Sequence, residues 1–277
     1  MTEKIGLVAG EGQFPQEAVT SIGRRGGQVV TVGFHGLTDA EFDCSKGGGA
    51  RIYLGQIGTL FEIFKTSGCK EILLTGKVPK KFLFQDLSAL RPDAKLFELI
   101  GRLGDRKDDS ILRTFARALE SEGFILVEQC AVCPDLVAKE GILGGIEPTD
   151  DQIEDVLFGW PIAKKLGEVD VGQTVVVRGK AVFSLEAIEG TDEAIRRGGS
   201  LSGVGSSVIK VAKPNQDPRF DVPVVGLETL EVASSVGVKA IAVEAGATLI
   251  VQRERFFSEA DRRGISILGV NSQGRCR

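Results

Sequence analysis

Apolar residues along the chain alternate between short β-rich runs and longer stretches of helical period. In the first half this pattern predicts strands over residues 5–9, 29–34, 71–75 and 124–127. Helices are predicted between them, over residues 16–25, 57–65 and 109–122. Alternation of this kind indicates crossover connections and a largely parallel, Rossmann-like sheet with both faces covered.

The pattern is less regular in the second half. A helix is predicted over residues 150–166, and strands over 174–178 and 181–185 are separated only by Gly179-Lys180, which favours a hairpin. Further strands are predicted over residues 208–212, 222–225, 240–243, 249–251 and 265–268, and helices over 192–197, 227–236 and 258–263. We therefore expect a mixed α/β arrangement here.

Prolines and glycines interrupt the pattern between the two halves, among them Pro134 and Pro148. The sequence predicts an N-terminal α/β domain over residues 1–130, a linker over 131–149 and a C-terminal mixed α/β domain over 150–277. A chain of 277 residues is long enough for two such domains.

Composition narrows the classes of function. A net charge of -4 argues against a dedicated nucleic-acid binder, and a single histidine, His35, excludes His-rich zinc sites. Five scattered cysteines are not a disulfide framework and favour a reducing cytoplasm. Cys130-x-x-Cys133 could be a redox or half-zinc site, but no second pair accompanies it, so we favour a packing role. No signal peptide or membrane-spanning run is apparent.

A glycine turn follows the first predicted strand and contains Gly10 and Gly12. Such a turn lets backbone N–H groups approach a phosphate at a helix start. Pro15 stands where the dinucleotide fingerprint needs a glycine, which disfavours NAD. A nucleotide phosphate or ribose site and a purely structural turn both remain open.

Two acidic segments also lie at predicted helix starts. Asp109 either caps its helix or contacts a substrate or metal. Glu189, Thr191 and Asp192 follow a predicted strand, where α/β folds place ligands, but Thr191 also fits a helix N-cap.

The most unusual segment, residues 210–226, crowds charged residues between apolar runs. Lys210, Lys213 and Arg219 could neutralise phosphate oxygens, and its aspartates could hold Mg²⁺. This chemistry suits hydrolysis of a phosphoanhydride, which depends mostly on charge stabilisation. Glu244 follows a later strand and could line the same cleft.

Five segments together resemble the LpxI family, the UDP-2,3-diacylglucosamine pyrophosphatases of lipid A biosynthesis in Gram-negative bacteria. They are residues 6–15, 108–113, 170–174, 186–192 and 210–226, and the similarity runs in order over residues 3–270. The resemblance implies Mg²⁺-dependent hydrolysis of UDP-2,3-diacylglucosamine to UMP and 2,3-diacylglucosamine 1-phosphate (lipid X), in a chamber between two α/β domains. A lipid-like substrate also allows peripheral contact with the inner membrane.

The resemblance implies that Asp221 is needed for hydrolysis and holds the metal. It marks Glu189, Thr191, Asp192, Lys210 and Lys213 as substrate or metal neighbours, and Asp217 as a weaker candidate because the family shows Glu there. Two alternatives stay open, a pyrophosphatase for another nucleotide sugar and a nucleotide-lipid binding protein without catalysis.

Overall fold

The computed structural model describes residues 4–79, 90–101 and 108–276, with backbone only for 108–110. The described chain forms two compact units. The first contains the residues up to Cys133 together with Pro218–Phe220, and the second contains Pro134–Asp217 and the residues from Asp221 onward. The predicted boundaries at residues 130 and 149 stay predictions.

The first unit is built on a five-stranded parallel sheet in the order β3-β2-β1-β4-β5. Its strands are β1 (Lys4–Ala9), β2 (Gln28–Phe34), β3 (Ala50–Ile52), β4 (Glu71–Thr75) and β5 (Ile125–Leu126). This order, with β1 in the centre, is that of a doubly wound sheet, and it confirms the predicted Rossmann-like class.

Helices connect these strands, and their apolar faces pack on the sheet. They are α1 (Phe14–Arg24), α2 (Ile57–Thr66), α3 (Ala94–Gly101), α4 (Asp108–Ser121) and the short α5 (Gln129–Val132). Leu60, Phe61 and Phe64 of α2 are buried in the core, as their helical spacing predicts. The pattern predicted α1, α2 and α4 but missed β3 and α3.

The second unit contains a mixed six-stranded sheet in the order β6-β13-β11-β9-β7-β8 and a separate β10-β12 pair. The strands are β6 (Gly141–Ile142), β7 (Thr174–Arg178), β8 (Ala181–Leu185), β9 (Ser207–Lys210), β10 (Val224–Val225), β11 (Ala240–Glu244), β12 (Leu249–Ile250) and β13 (Ser266–Val270). Strands β9, β11 and β13 are parallel, whereas β6, β7 and β8 are antiparallel to their neighbours. The predicted mixed sheet and the β7–β8 hairpin are confirmed.

Helices cover both faces of this sheet. They are α6 (Asp150–Glu168), α7 (Thr191–Ser202), α8 (Leu227–Ser235) and α9 (Arg253–Arg262). Trp160 of α6 shares one core with Val175 and Ile209, and helices α7 to α9 share another with Val176 and Val208. Alternate strand residues therefore face opposite helical layers.

Two predictions were incomplete, the length of the helix predicted over residues 192–197 and the linker predicted over residues 131–149. The predicted helix 192–197 extends through Gly198, where a Cβ would lie 2.2 Å from Ser184 Oγ, because the helix lies close against β8. The glycine therefore allows this approach and does not end the helix. In the segment predicted as a linker, residues 141–142 form β6, which pairs with β13.

Candidate active site

A row of polar side chains crosses three strands at the carboxyl edge of the second-unit sheet. Thr174 begins β7 and pairs directly with Lys210 at the end of β9, and the N–H of Glu186 donates to the carbonyl of Thr174. Directly paired residues project their side chains from the same face. Glu186, Thr174 and Lys210 therefore lie side by side on the face covered by α7 and α8.

Lys210 places a positive charge in this row, although the side chain is only 6% exposed. Its Nζ donates to the Val224 carbonyl at 2.9 Å, which ties the end of β9 to the start of β10. Beside it, Thr174 is fully buried, and its Oγ1 has no hydrogen-bond partner among the described residues. A buried hydroxyl without a partner costs free energy.

The segment after β9 brings a second cation close to several carboxylates. Lys213 Nζ lies 2.7 Å from Asp170 Oδ1. Burial lowers the pKa of the Lys213 ammonium, but the hydrogen bond to Asp170 and the charges of Asp170, Asp221 and Glu186 outweigh it and raise the pKa overall. Lys213 is therefore charged at neutral pH. The structure thus groups Lys213 with the predicted catalytic Asp221.

Asp221 is exposed at the end of this segment, and its N–H donates to the carbonyl of Asp217 at 3.0 Å. This backbone hydrogen bond closes a single turn that holds both aspartates. An exposed carboxylate beside a lysine is accessible to a charged ligand.

The predicted N-cap role of Thr191 is wrong. Gly190 is the N-cap of α7, with a φ of 85° that favours glycine. Thr191 Oγ1 instead donates to Glu186 Oε1 at 3.0 Å, while Glu186 Oε2 accepts from the Gln173 N–H at 3.2 Å. The hydroxyl of Thr191 thus fixes the buried carboxylate of the polar row.

Asp192 and Glu189 hold neighbouring parts of the same region. Asp192 Oδ1 accepts from Thr229 Oγ1 at 3.3 Å, which joins the starts of α7 and α8. Glu189 is exposed, and hydrogen bonds from its own N–H and from Arg197 lower the pKa of its carboxyl. Both carboxylates are therefore engaged within the unit.

Glu244 ends β11 and pairs with a helix residue that sequence reasoning missed. Lys164 Nζ of α6 lies 2.9 and 2.7 Å from the two carboxylate oxygens of Glu244. The exposed fractions of the two side chains are 24% and 11%, so the pair is largely removed from water.

The structure assigns Arg219 to the first unit. There its guanidinium pairs with Glu120, and the neighbouring Phe220 packs against the core of that unit. Arg219 is therefore not grouped with Lys210 and Lys213 within the second unit.

The glycine turn after β1 is explained largely by backbone packing. A Cβ on Gly10 would lie 2.6 Å from the Lys77 carbonyl oxygen, and the Glu11 N–H donates to that oxygen at 2.8 Å. Gly12 has a φ of 98° and lines an open cavity of about 610 Å³ with Gln13, Gln16, Asp39 and Glu41. The structural alternative thus accounts for Gly10, while Gly12 borders space for a ligand. The side chain of Asp109 lies outside the described residues.

Sequence reasoning missed four residues that organise the site. Asp170, Thr174 and Glu186 lie in segments that carry the family resemblance. Strand register brings Thr174 and Glu186 together, and an ion pair with Lys213 brings in Asp170. Lys164 gave no signal, because a lysine in an amphipathic helix is usually a solvated surface residue.

Among the described residues, His35 and the cysteines form no cluster like that of the charged residues at the edge of the second-unit sheet. His35 packs its ring 4.5 Å from the ring of Tyr53, and the five cysteines, including Cys130 and Cys133, are free thiols. Burial raises the pKa of the Cys130 thiol, which disfavours a reactive thiolate.

Mg²⁺ prefers oxygen ligands, which the carboxylates at this edge of the sheet could supply. In the described part of the chain, no three His, Cys, Asp or Glu side chains come together as a preformed metal site. Mg²⁺ usually keeps several waters and takes one or two carboxylates together with substrate phosphates. The exposed carboxylate of Asp221 fits a metal that binds together with a diphosphate.

Comparison with known proteins covers nearly the whole chain. Residues 4–136 match the LpxI N-terminal domain, and residues 139–268 match the LpxI C-terminal domain. The chain is also 31% identical, over an alignment 286 positions long, to the UDP-2,3-diacylglucosamine pyrophosphatase LpxI of Caulobacter vibrioides. That alignment covers 98% of this chain and 99% of the relative. The chain therefore belongs to the LpxI family.

Proposed function

We propose that this protein hydrolyses the diphosphate of UDP-2,3-diacylglucosamine to UMP and 2,3-diacylglucosamine 1-phosphate, with Mg²⁺, in lipid A biosynthesis. Family membership supports the reaction, since the Caulobacter relative carries the name of this pyrophosphatase. We also propose that it acts in the cytoplasm, with peripheral contact to the inner membrane where its lipid substrate resides. None of the described helices is long and apolar enough to cross a membrane.

The observation that carries this proposal is that Lys210, at the carboxyl end of β9, and Lys213, whose ammonium is within electrostatic reach of Asp221, stand in one segment at the same edge of the second-unit sheet. Both lysines are anchored by defined partners, Lys210 on Val224 and Lys213 on Asp170. Two fixed ammonium groups can neutralise phosphate oxygens without reorganising during the reaction. The raised pKa of Lys213 keeps that charge in place across neutral pH.

Hydrolysis requires a water oxygen to bond to one phosphorus while the bond from that phosphorus to the bridging oxygen breaks. The bridging oxygen then leaves on the other phosphate. Lys210 and Lys213 would stabilise the negative charge that develops on these oxygens. Asp221 would hold Mg²⁺, which when bound supplies further charge neutralisation and polarises the diphosphate.

The remaining predicted contacts complete the proposal. We assign Glu189, Thr191 and Asp192 to the substrate side of the second unit, because Thr191 donates to Glu186 and the other two flank Thr191 at the start of α7. Gly10, Gly12, Asp109 and Arg219 are retained as predicted substrate-binding residues, whereas the Glu244 carboxylate is bonded to Lys164 and Ala212 within the unit.

The experiment that tests the function is a product assay by mass spectrometry. Purified protein is incubated with UDP-2,3-diacylglucosamine and Mg²⁺, with EDTA in a parallel sample. We expect UMP and 2,3-diacylglucosamine 1-phosphate in equal amounts, and only where the metal is available.

Each other outcome identifies a different error. Turnover of other UDP-sugars but not of the diacylated substrate would favour a different nucleotide-sugar pyrophosphatase. Binding without products would favour a nucleotide-lipid binding protein. Full activity in EDTA would contradict the role given to Mg²⁺.

A further inference from the structure

The backbone of Ala212 is held at both its N–H and its C=O by one ion pair. Glu244 Oε2 accepts from the Ala212 N–H at 2.8 Å, and Lys164 Nζ donates to the Ala212 carbonyl at 2.9 Å. The same two side chains are 2.7 Å apart at their closest atoms. We call this arrangement the Ala212 clamp, consisting of Lys164, Glu244 and the backbone of Ala212.

The clamp lies at the start of the segment that carries Lys213 and Asp221. Ala212 lies two residues after β9 and directly before Lys213, at the start of the segment that leads to Asp221. The far end of that segment is held separately, where Lys210 donates to Val224. The segment carrying the proposed catalytic carboxylate is thus anchored at both ends by side chains.

The clamp is a costly way to obtain stability alone. Two largely buried charges lose much of their hydration, and their attraction often only offsets that loss. Its hydrogen bonds, however, fix both polar groups of one residue in direction and distance. A geometric role explains these bonds better than a stabilising one.

We propose that Lys164 and Glu244 are positioning residues, which hold Ala212 so that Lys213 and Asp221 keep the geometry needed for hydrolysis. This inference rests on the proposed function, and it assigns Glu244 to backbone positioning in place of substrate contact. Glu244 Oε2 already accepts from both Lys164 and Ala212, so its hydrogen-bonding capacity is largely used within the protein.

The test uses Lys164→Met, Glu244→Met and the double variant in the full chain. We expect each single change to lower kcat about 10- to 100-fold, the size of loss that a small misplacement of reacting groups causes. KM should change little, because neither side chain contacts substrate. Each single change should also lower Tm, since it leaves one charge unpaired.

The double variant separates positioning from stability. It contains neither charge, so Tm should recover toward that of the native protein, while kcat should stay as low as in the single variants. Recovery of kcat along with Tm would overturn the proposal. A raised KM with native kcat would also overturn it, because it would mean that Glu244 binds substrate.

Asp155 provides a matched control on the same helix. It is 2% exposed, and its carboxylate accepts from the backbone N–H groups of Gly179 and Lys180, at the turn of the β7–β8 hairpin. Asp155→Met should lower Tm as the clamp variants do but leave the kcat of the folded protein unchanged. A comparable loss of kcat would overturn the proposal, because it would mean that removing any buried charge from this helix has the same effect.

Hydrogen exchange provides a readout that does not depend on activity. The amides of Ala212 and Lys213 should exchange at least about tenfold faster in Lys164→Met than in the native protein. Unchanged exchange would contradict the positioning role of Lys164 and Glu244, whatever the hydrolase assay shows. Faster exchange in a protein that shows no hydrolysis would locate the error in the proposed function.

Discussion

The turn after β1 in the first unit and the segment after β9 in the second occupy similar places. Each follows a strand that pairs in parallel, at the carboxyl edge of its sheet. In the first, backbone packing determines the sequence, because Gly10 lies against Lys77 without room for a Cβ. In the segment after β9, side-chain charge determines the sequence, because Lys210 and Lys213 are each anchored on a defined acceptor.

This difference shows that a glycine signal and a charge signal carry different information. A glycine is explained as soon as the backbone it touches is known. A buried lysine beside an unpartnered hydroxyl and several carboxylates is not explained by packing, because those groups cost free energy to bury. The second unit is therefore the better candidate for the site of hydrolysis.

The largest effect expected from testing this comparison comes from replacing Lys210. Lys210→Met should lower kcat/KM about 10²- to 10³-fold, because a fixed charge at a phosphate oxygen is removed. Steady-state kinetics would measure this. Lys239→Met is the matched control, since Lys239 Nζ also donates to a backbone carbonyl, that of Arg263 at 3.2 Å, but at the opposite edge of the sheet. Equal losses of kcat/KM in the two variants would contradict the assignment of hydrolysis to the carboxyl edge of the sheet.

The next effect tests the packing explanation of the glycine turn. Gly10→Ala should lower the free energy of unfolding by about 3 kcal/mol, because its methyl group would overlap the Lys77 backbone. Gly12→Ala should cost only about 1 kcal/mol, since it meets open space but has a left-handed φ. Urea denaturation of both would measure the difference, and equal costs would contradict the packing argument.

The smallest effect concerns an ion-pair network in the first unit that has no proposed catalytic role. Lys65 and Lys95 lie 2.5 and 2.7 Å from the Glu122 carboxylate. Their hydrogen bonds lower the pKa of Glu122 from 4.5 to about 2. A lowered pKa in the folded state means that the stabilisation is present above the ordinary value and is lost as the pH falls through the folded value.

Glu122→Gln should therefore cost about 1 kcal/mol of unfolding free energy at pH 7 and progressively less between pH 4.5 and about 2. Urea denaturation across this pH range would measure it, and kcat should be unaffected. A difference that does not depend on pH would show that charge is not the cause.

Most elements of both units were predictable from the sequence, and the missed elements are short. Apolar periodicity predicted β1, β2 and α2, because burial on one face fixes both helix and strand. It missed β3, α3 and β6, of which β6 has only two residues and depends on its pairing with β13. Its residues, Gly141 and Ile142, stand in a segment rich in glycine and proline, where the pattern predicts a linker.

The candidate site was predictable only where its residues are neighbours in sequence. Lys210, Lys213 and Asp221 stand in one charged segment that composition marks as a candidate phosphate and metal segment, but the choice of Asp221 over Asp217 came from the family resemblance. Thr174 and Glu186 join them through strand register, and Lys164 through helix packing. Contacts of that kind follow from the fold and cannot be read from local sequence.

The central claim is that hydrolysis takes place at the charged edge of the second unit, with Asp221 required. The most direct measurement compares initial rates of UMP release by the native protein and Asp221→Ala, with thermal melting of both. Because Asp221 is exposed, we expect the melting temperature to change little while the rate falls at least about 10³-fold. A folded Asp221→Ala protein with a near-native rate would contradict the account.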